Sequence, residues 1–205
     1  VAQRDGERMD ALMWACRAGQ AACVAELLER GANANGADSR GRTALGWAAV
    51  SGQPDAVAML CDGGAGLQRA EWTGRYAGAT PLLLAIHCGR TAVAQALLER
   101  GADPAERRND GRGALSAVAS GLQAGGGDEY SQLLRVLGPA LLTAWNSADD
   151  LRAWLTHSGA PHADISTLLG SEQIYTEGDG SLALSGDALA AFLQRLESML
   201  RAADL

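Results

Sequence analysis

A block of fourteen residues occurs three times in this 205-residue chain. Residues 19–32 read GQAACVAELLERGA and residues 89–102 read GRTAVAQALLERGA, with a looser copy at 52–65. A second block precedes each one: DALMWA at 10–15, TALGWA at 43–48 and TPLLLA at 80–85, with a fainter GALSAV at 113–118. Their first residues are 10, 43, 80 and 113, so the intervals are 33, 37 and 33. Self-similarity at such a period marks a chain built from one supersecondary unit used repeatedly. A unit of that size cannot bury its own apolar face, so the copies have to stack on one another.

The residues inside each copy explain how. Leu12, Leu45, Leu82 and Leu115 share one helical position, and the small residues Ala15, Ala48 and Ala85 let these inner helices pack closely. Leu27 and Leu28, Leu60 and Cys61, and Leu97 and Leu98 give a second helix its apolar side, at i, i+3, i+4 spacing with Val24 and Val57. Gly31, Gly64 and Gly101 stand where that helix ends and a left-handed residue is needed. A 33-residue period, a TPLHxA-like block, a glycine and a second helix ending in LLxxGA resemble the ankyrin repeat. The resemblance covers residues 5 to 138, and its most specific stretches are Asp38 to Leu45 and Leu97 to Pro104. It implies a mostly α chain: a solenoid of about four helix-turn-helix repeats starting near 5, 38, 75 and 108 within residues 1–139. Residues 140–205 would then form a C-terminal cap. The histidine of the TPLH block is replaced by Met13, Gly46, Leu83 and Ser116, which predicts repeats less stable than a consensus array. Trp14 and Trp47 take an inter-repeat contact position and are expected to be core or half-buried.

Two insertions break the period. Residues 66–79 are four longer than their equivalents. In ankyrin-like arrays this loop is a finger projecting from the concave edge, and it carries Arg69, Trp72, Arg75 and Tyr76, residue types that dominate binding hot spots. Trp72 either meets a partner or folds down on its own finger. The second insertion, Gly121 to Glu129, contains three consecutive glycines but no phosphate-loop pattern and no following lysine, and reads as a flexible connection. The helix after it, Tyr130 to Leu137, is predicted to stop at Gly138-Pro139.

From Ala140 the period disappears, yet the segment is too apolar for a disordered tail. A helix is predicted from the Ser147 to Asp150 capping pattern, another over Ala163 to Leu169, and a hairpin over Gln173 to Leu184. A last helix opens at Asp187, with Leu189, Phe192, Leu193, Leu196, Met199 and Leu200 on one face. Charge separates this segment from the rest. The chain carries −7 overall, and residues 140–205 hold three arginines against nine acids, while the array is near neutral with fourteen against fifteen. Such a balance disfavours nucleic acid and suits a basic protein partner. All 17 basic residues are arginine; a GC-rich genome and avoidance of lysine-directed modification both fit.

Catalytic and metal chemistry find no support in the sequence. The histidines are His87, His157 and His162, and His157, His162 and Asp164 straddle a Gly-Ala-Pro turn rather than one helix face. Cys16, Cys23, Cys61 and Cys88 form no CxxC pair and are expected to be reduced. No run of about 18 apolar residues occurs, so no membrane span is predicted. The polar start after Val1 is unlike a signal peptide and points to the cytoplasm, or to the periplasm if a leader has been removed. The resemblance implies a protein-binding module with no cofactor, metal or small-molecule substrate. By alignment its contacts are Arg40 and Arg42 on the second finger and Arg69, Trp72, Arg75 and Tyr76 on the third. Asp110 and Arg112 follow on the fourth, with His87 on a groove helix. The partner favoured is a bacterial toxin or effector enzyme, held by this chain as an immunity or antitoxin protein. The alternative is a secreted effector that binds a host protein.

Overall fold

The computed structural model describes residues 5–68, 76–144, 175–176, 182–183 and 186–202. Two compact units divide the chain, Val1–Gly113 and Ala114–Leu205. In the first, three helix pairs follow one another: α1 Ala11–Ala18 with α2 Ala21–Glu29, α3 Ala44–Ser51 with α4 Pro54–Asp62, and α5 Pro81–His87 with α6 Thr91–Glu99.

Each pair opens the same way. Asp10, Thr43 and Thr80 sit in extended backbone ahead of an inner helix and accept the N–H of the third residue on, at 3.0 Å from Met13, 3.2 Å from Gly46 and 3.3 Å from Leu83. Such caps satisfy an N–H group that the helix itself leaves without a partner. The inner helix stops at a left-handed glycine in the first two pairs, Gly19 (φ 71°) and Gly52 (φ 77°). The outer helices end just before Gly31, Gly64 and Gly101, all left-handed as expected.

Pairs stack helix on like helix: α1 on α3 and α3 on α5 form one layer, α2 on α4 and α4 on α6 the other. Leu12, Leu45 and Leu82 are buried in the inner layer, and Val24, Val57, Leu60, Val93 and Leu97 between the layers. Burying one such side chain is worth about 1.5–3 kcal/mol, so the repeated leucine and valine positions supply most of the cohesion of the stack. Met13, Gly46 and Leu83, which stand where the family histidine is missing, are buried too. Ahead of α3 and ahead of Ala114 the chain turns back on itself in a finger, pinned by the antiparallel bridges Ala37 to Thr43 and Arg107 to Gly113.

The second unit contains α7 Ala114–Gln123, α8 Asp128–Ala144 and α9 Gly186–Ala202, with α9 packed on both α7 and α8. Strands β1 Tyr175–Thr176 and β2 Leu182–Ala183 pair antiparallel, Tyr175 opposite Ala183, inside the stretch expected to form a hairpin. Phe192, Leu193 and Leu196 give α9 its buried face.

Two sequence expectations fail in this unit. The helix predicted to stop at Gly138-Pro139 continues to Ala144, so the division expected between 139 and 140 falls inside α8. Gly138 is buried against Leu193, where a Cβ would stand about 2.5 Å from its methyl, and Leu137 and Leu141 are buried on either side. The close approach of α9 and those leucines outweigh the backbone bond that Pro139 removes. The glycine run is also no loose tether. Gly126 N–H donates to the Gly121 carbonyl at 2.9 Å, and the Tyr130 ring occupies the space a Cβ would need at Gly121 and at Gly126. The helices predicted at Ser147–Asp150 and Ala163–Leu169, and the His157, His162 and Asp164 group, lie outside the described residues.

Candidate functional site

The first two fingers are built around one side chain. In the second, the buried Asp38 accepts the N–H groups of Arg40 and Arg42 on Oδ1, both at 2.9 Å, and the Arg42 Nε–H on Oδ2 at 2.9 Å. Asp5, one period earlier, does the same with Glu7 at 2.9 Å and Met9 at 2.8 Å. Its Oδ2 takes the Trp14 indole N–H at 2.9 Å. Desolvation pushes the Asp5 carboxyl up, but the N–H groups of Met9 and Glu7 and the Trp14 indole outweigh it and hold the group below its ordinary value.

Arginine stands at this position in the other two fingers, as Arg75 and Arg108. In the fourth, Arg108 reaches Asp110 Oδ2 at 3.0 Å, and Asp110 Oδ1 accepts the Arg112 N–H at 3.1 Å. The acid has moved two residues along, to the exposed tip. In the third, Tyr76 meets the His87 ring edge-on at 4.8 Å, and the Arg108 Cζ lies over the Tyr76 ring at 6.0 Å. Gly78 (φ 80°) lets this finger approach the Asn109 backbone at a distance that excludes any Cβ.

The predicted contact residues therefore divide. Arg40, Asp110 and Arg112 are exposed at finger tips. Arg42 is largely buried, engaged by Asp38 and stacked 3.9 Å from the centroid of the Trp47 ring. Tyr76 and His87 are half-buried and brought together. Arg69, Trp72 and Arg75 lie outside the described residues.

The inner-helix face adds a cluster around the two tryptophans, which the sequence places in the core or half-buried. Trp47 is buried, at 9% exposure, but Trp14 is 46% exposed. Beside Trp14 a hollow of about 610 Å³ opens, lined by Ala11, Trp14, Ala15, Ala18, Cys23 and Leu27 among others. The same register in the second repeat, Ala44, Trp47, Ala48, Ala56 and Leu60, is buried. Between the two indoles lies Arg17, whose Cζ is over each ring at 5.0 Å. The signal that could have found it was present: tryptophan recurs one period apart, with an arginine one turn after the first.

Burial pushes the Cys16 thiol up to about 12, with Asp10 adding to the effect. Burial also raises Cys61, which Arg100 lowers and Asp62 raises again. Both thiols stay protonated and un-nucleophilic near neutrality. Among the described residues no three His, Cys, Asp or Glu side chains gather as metal ligands, and no helix is long and apolar enough to cross a membrane.

Residues 2–71 match the family model for ankyrin repeats (3 copies), and residues 77–110 match the ankyrin repeat model, together just over half of the chain. The chain belongs to the ankyrin-repeat family. The fainter fourth copy lies almost wholly beyond the matched residues. No curated protein matches the chain. Ankyrin repeats generally mediate protein–protein interaction, typically without catalysis, and the paired helices with projecting fingers are the frame for that role.

Proposed function

We propose that this chain is a non-enzymatic module that holds a folded protein partner through its finger loops and the inner-helix face beside them. The observation that carries the reading is the construction of the second finger. Asp38 spends its carboxylate on the loop backbone, so Arg40 is exposed on a frame that is already ordered. A pre-ordered loop loses little freedom on binding. The contacts we assign are Arg40 on the second finger, with Arg42 as its anchored base, and Arg69, Trp72, Arg75 and Tyr76 with His87 on the third. Asp110 and Arg112 serve the fourth. Trp72→Ala and Arg75→Ala are each expected to cost about 2 kcal/mol of partner affinity. Unchanged affinity in both, with loss in Arg40→Ala, removes the third finger from the site.

For the partner we favour a bacterial toxin or effector enzyme, with this chain as its immunity or antitoxin protein. The acid excess of residues 140–205 supports a basic partner, since complementary charge steers encounter and suppresses wrong partners. Co-purification from the native host with mass spectrometry tests this, and a captured partner that is neither toxic nor a secreted enzyme overturns it. The absence of lysine favours a second reading, a secreted effector acting on a host protein. Neighbouring genes separate the two: a toxin gene goes with the first, secretion machinery with the second.

A further inference from the structure

Arg17, in the last turn of α1, is held by two indoles. Trp14 stands one turn earlier on the same helix and Trp47 one period later on the next inner helix, each with the Arg17 Cζ over its ring at 5.0 Å. Both indoles are themselves fixed, Trp14 by its N–H bond to Asp5 and Trp47 by burial and the Arg42 guanidinium. The two arginines of this stack differ in one respect. Arg42 has Asp38 at 2.9 Å and Glu7 at 3.9 Å to answer its charge. Arg17 is exposed, and among the described residues no carboxylate or other acceptor meets its guanidinium.

Stacking on a ring engages the guanidinium through its plane and leaves the five in-plane N–H donors available. An arginine so held has lost much of its rotamer freedom before anything binds, and its fork matches a carboxylate in two parallel hydrogen bonds. At the equivalent position the other repeats carry Val50, His87 and Ser120, so arginine occurs at this position only where two indoles are within reach of it. Trp14 lies alongside as a large exposed apolar surface, and tryptophan and arginine are the residue types that dominate protein hot spots. Asp5, Glu7 and Asp38 surround the stack, a setting that repels a phosphate dianion more than a single carboxylate.

We propose that Arg17 is the receptor for an aspartate or glutamate side chain of the protein partner, its carboxylate taken by the guanidinium fork and its stem laid against Trp14. The proposal rests on the protein-binding reading above and adds the polarity of the contact: an acidic residue meets the inner face of the first two repeats.

The test titrates the whole chain with acetylated hexaglutamate, following the Arg17 Nε–H and Trp14 indole N–H resonances, with hexaglutamine and inorganic phosphate as separate arms. Saturable shifts of both signals with hexaglutamate alone are expected, weakened at least tenfold in Arg17→Gln and several-fold in Arg17→Lys, which keeps the charge but loses the fork. Equal response to phosphate, or hexaglutamate binding unchanged in Arg17→Gln, overturns the proposal. Arg17→Lys preserves a long cationic side chain for the stack and covers the case in which the glutamine variant does not fold. A captured partner that binds Arg17→Gln as tightly as the wild type overturns the Arg17 assignment alone. Failure of the wild-type chain to capture any protein overturns the binding function, and the protein-borne carboxylate with it.

Discussion

Trp14 and Trp47 occupy the same position in consecutive repeats, in the sequences LMWA and LGWA, yet one is 46% exposed and the other 9%. Their flanking residues on the helix are nearly the same. The difference is what packs on each ring: α1 with Arg17 and the finger residue Arg42 lie against Trp47, whereas a hollow opens beside Trp14. In a stacked array a residue's environment belongs to its neighbour as much as to its own repeat. One residue type can therefore be core in one copy and contact surface in the previous one.

That comparison is broken most directly by removing each ring. Trp47→Ala deletes a buried indole and takes from Arg42 and Arg17 the ring that both contact, and is expected to cost about 3 kcal/mol or more of stability. Trp14→Ala removes a half-exposed ring and one cation–π contact, for about 1 kcal/mol. Urea unfolding of the two variants reads both values, and equal losses would mean that the first repeat is as enclosed as the second.

The fingers carry the next contrast. Asp38 is fully buried beneath three N–H donors, while Asp110 does its work at an exposed tip. Asp38→Ala leaves backbone donors and the Arg42 guanidinium without their acceptor, an expected loss of about 2 kcal/mol. Asp110→Ala is expected to cost at most about 0.5 kcal/mol, the scale of exposed pairs. A second finger that tolerates the change would show its loop to be held by the Ala37–Thr43 bridge alone.

A smaller effect is expected where the first finger departs from the others. Gly41, Gly78 and Gly111 adopt left-handed backbone at one shared position, and Arg8 takes it in the first finger with φ 61°. A side chain there costs about 1–2 kcal/mol, partly offset by the greater freedom that glycine gives the unfolded chain. Arg8→Gly is thus expected to raise stability by about 0.5 kcal/mol, read as a higher urea midpoint at unchanged slope. A drop instead would mean that the Arg8 side chain contributes more than its strain removes.

What the sequence disclosed follows the same logic. Positions defined by the repeat itself were legible: the leucine and valine layers and the stops before Gly31, Gly64 and Gly101. Each depends on contacts that recur every period. What depends on a particular neighbour was not. The stack of Arg17 on both Trp14 and Trp47 needs a specific pair of adjacent repeats. Gly138-Pro139 reads as a helix stop because its local chemistry is that of a stop, and only the face of α9 against Leu137 and Gly138 reverses the reading. Asp38 opens one of the most specific stretches of the resemblance, and its recurrence as Asp5 one period earlier was the signal for its role as the finger's acceptor.

The last contrast concerns the indole N–H groups. Trp14 Nε1 donates to Asp5, whereas the buried Trp47 Nε1 has no acceptor among the described residues. The folded Asp5 carboxyl titrates below its ordinary value of 3.8. A depressed folded value means that the charged group stabilises the folded finger above the unfolded value, and that this contribution disappears as pH falls through the folded one. The expected result of an acid titration followed by NMR is therefore a shift of the Trp14 indole N–H with a midpoint below 3.8, absent in Asp5→Asn. Trp47 is expected to stay still across the same step, because no carboxylate accepts its N–H. A Trp14 midpoint at or above the ordinary value would mean that the three N–H donors do not hold Asp5 charged. Joint movement of both indoles would mean that protonating one finger loosens the Arg17 stack, so that the first two repeats respond as a single unit.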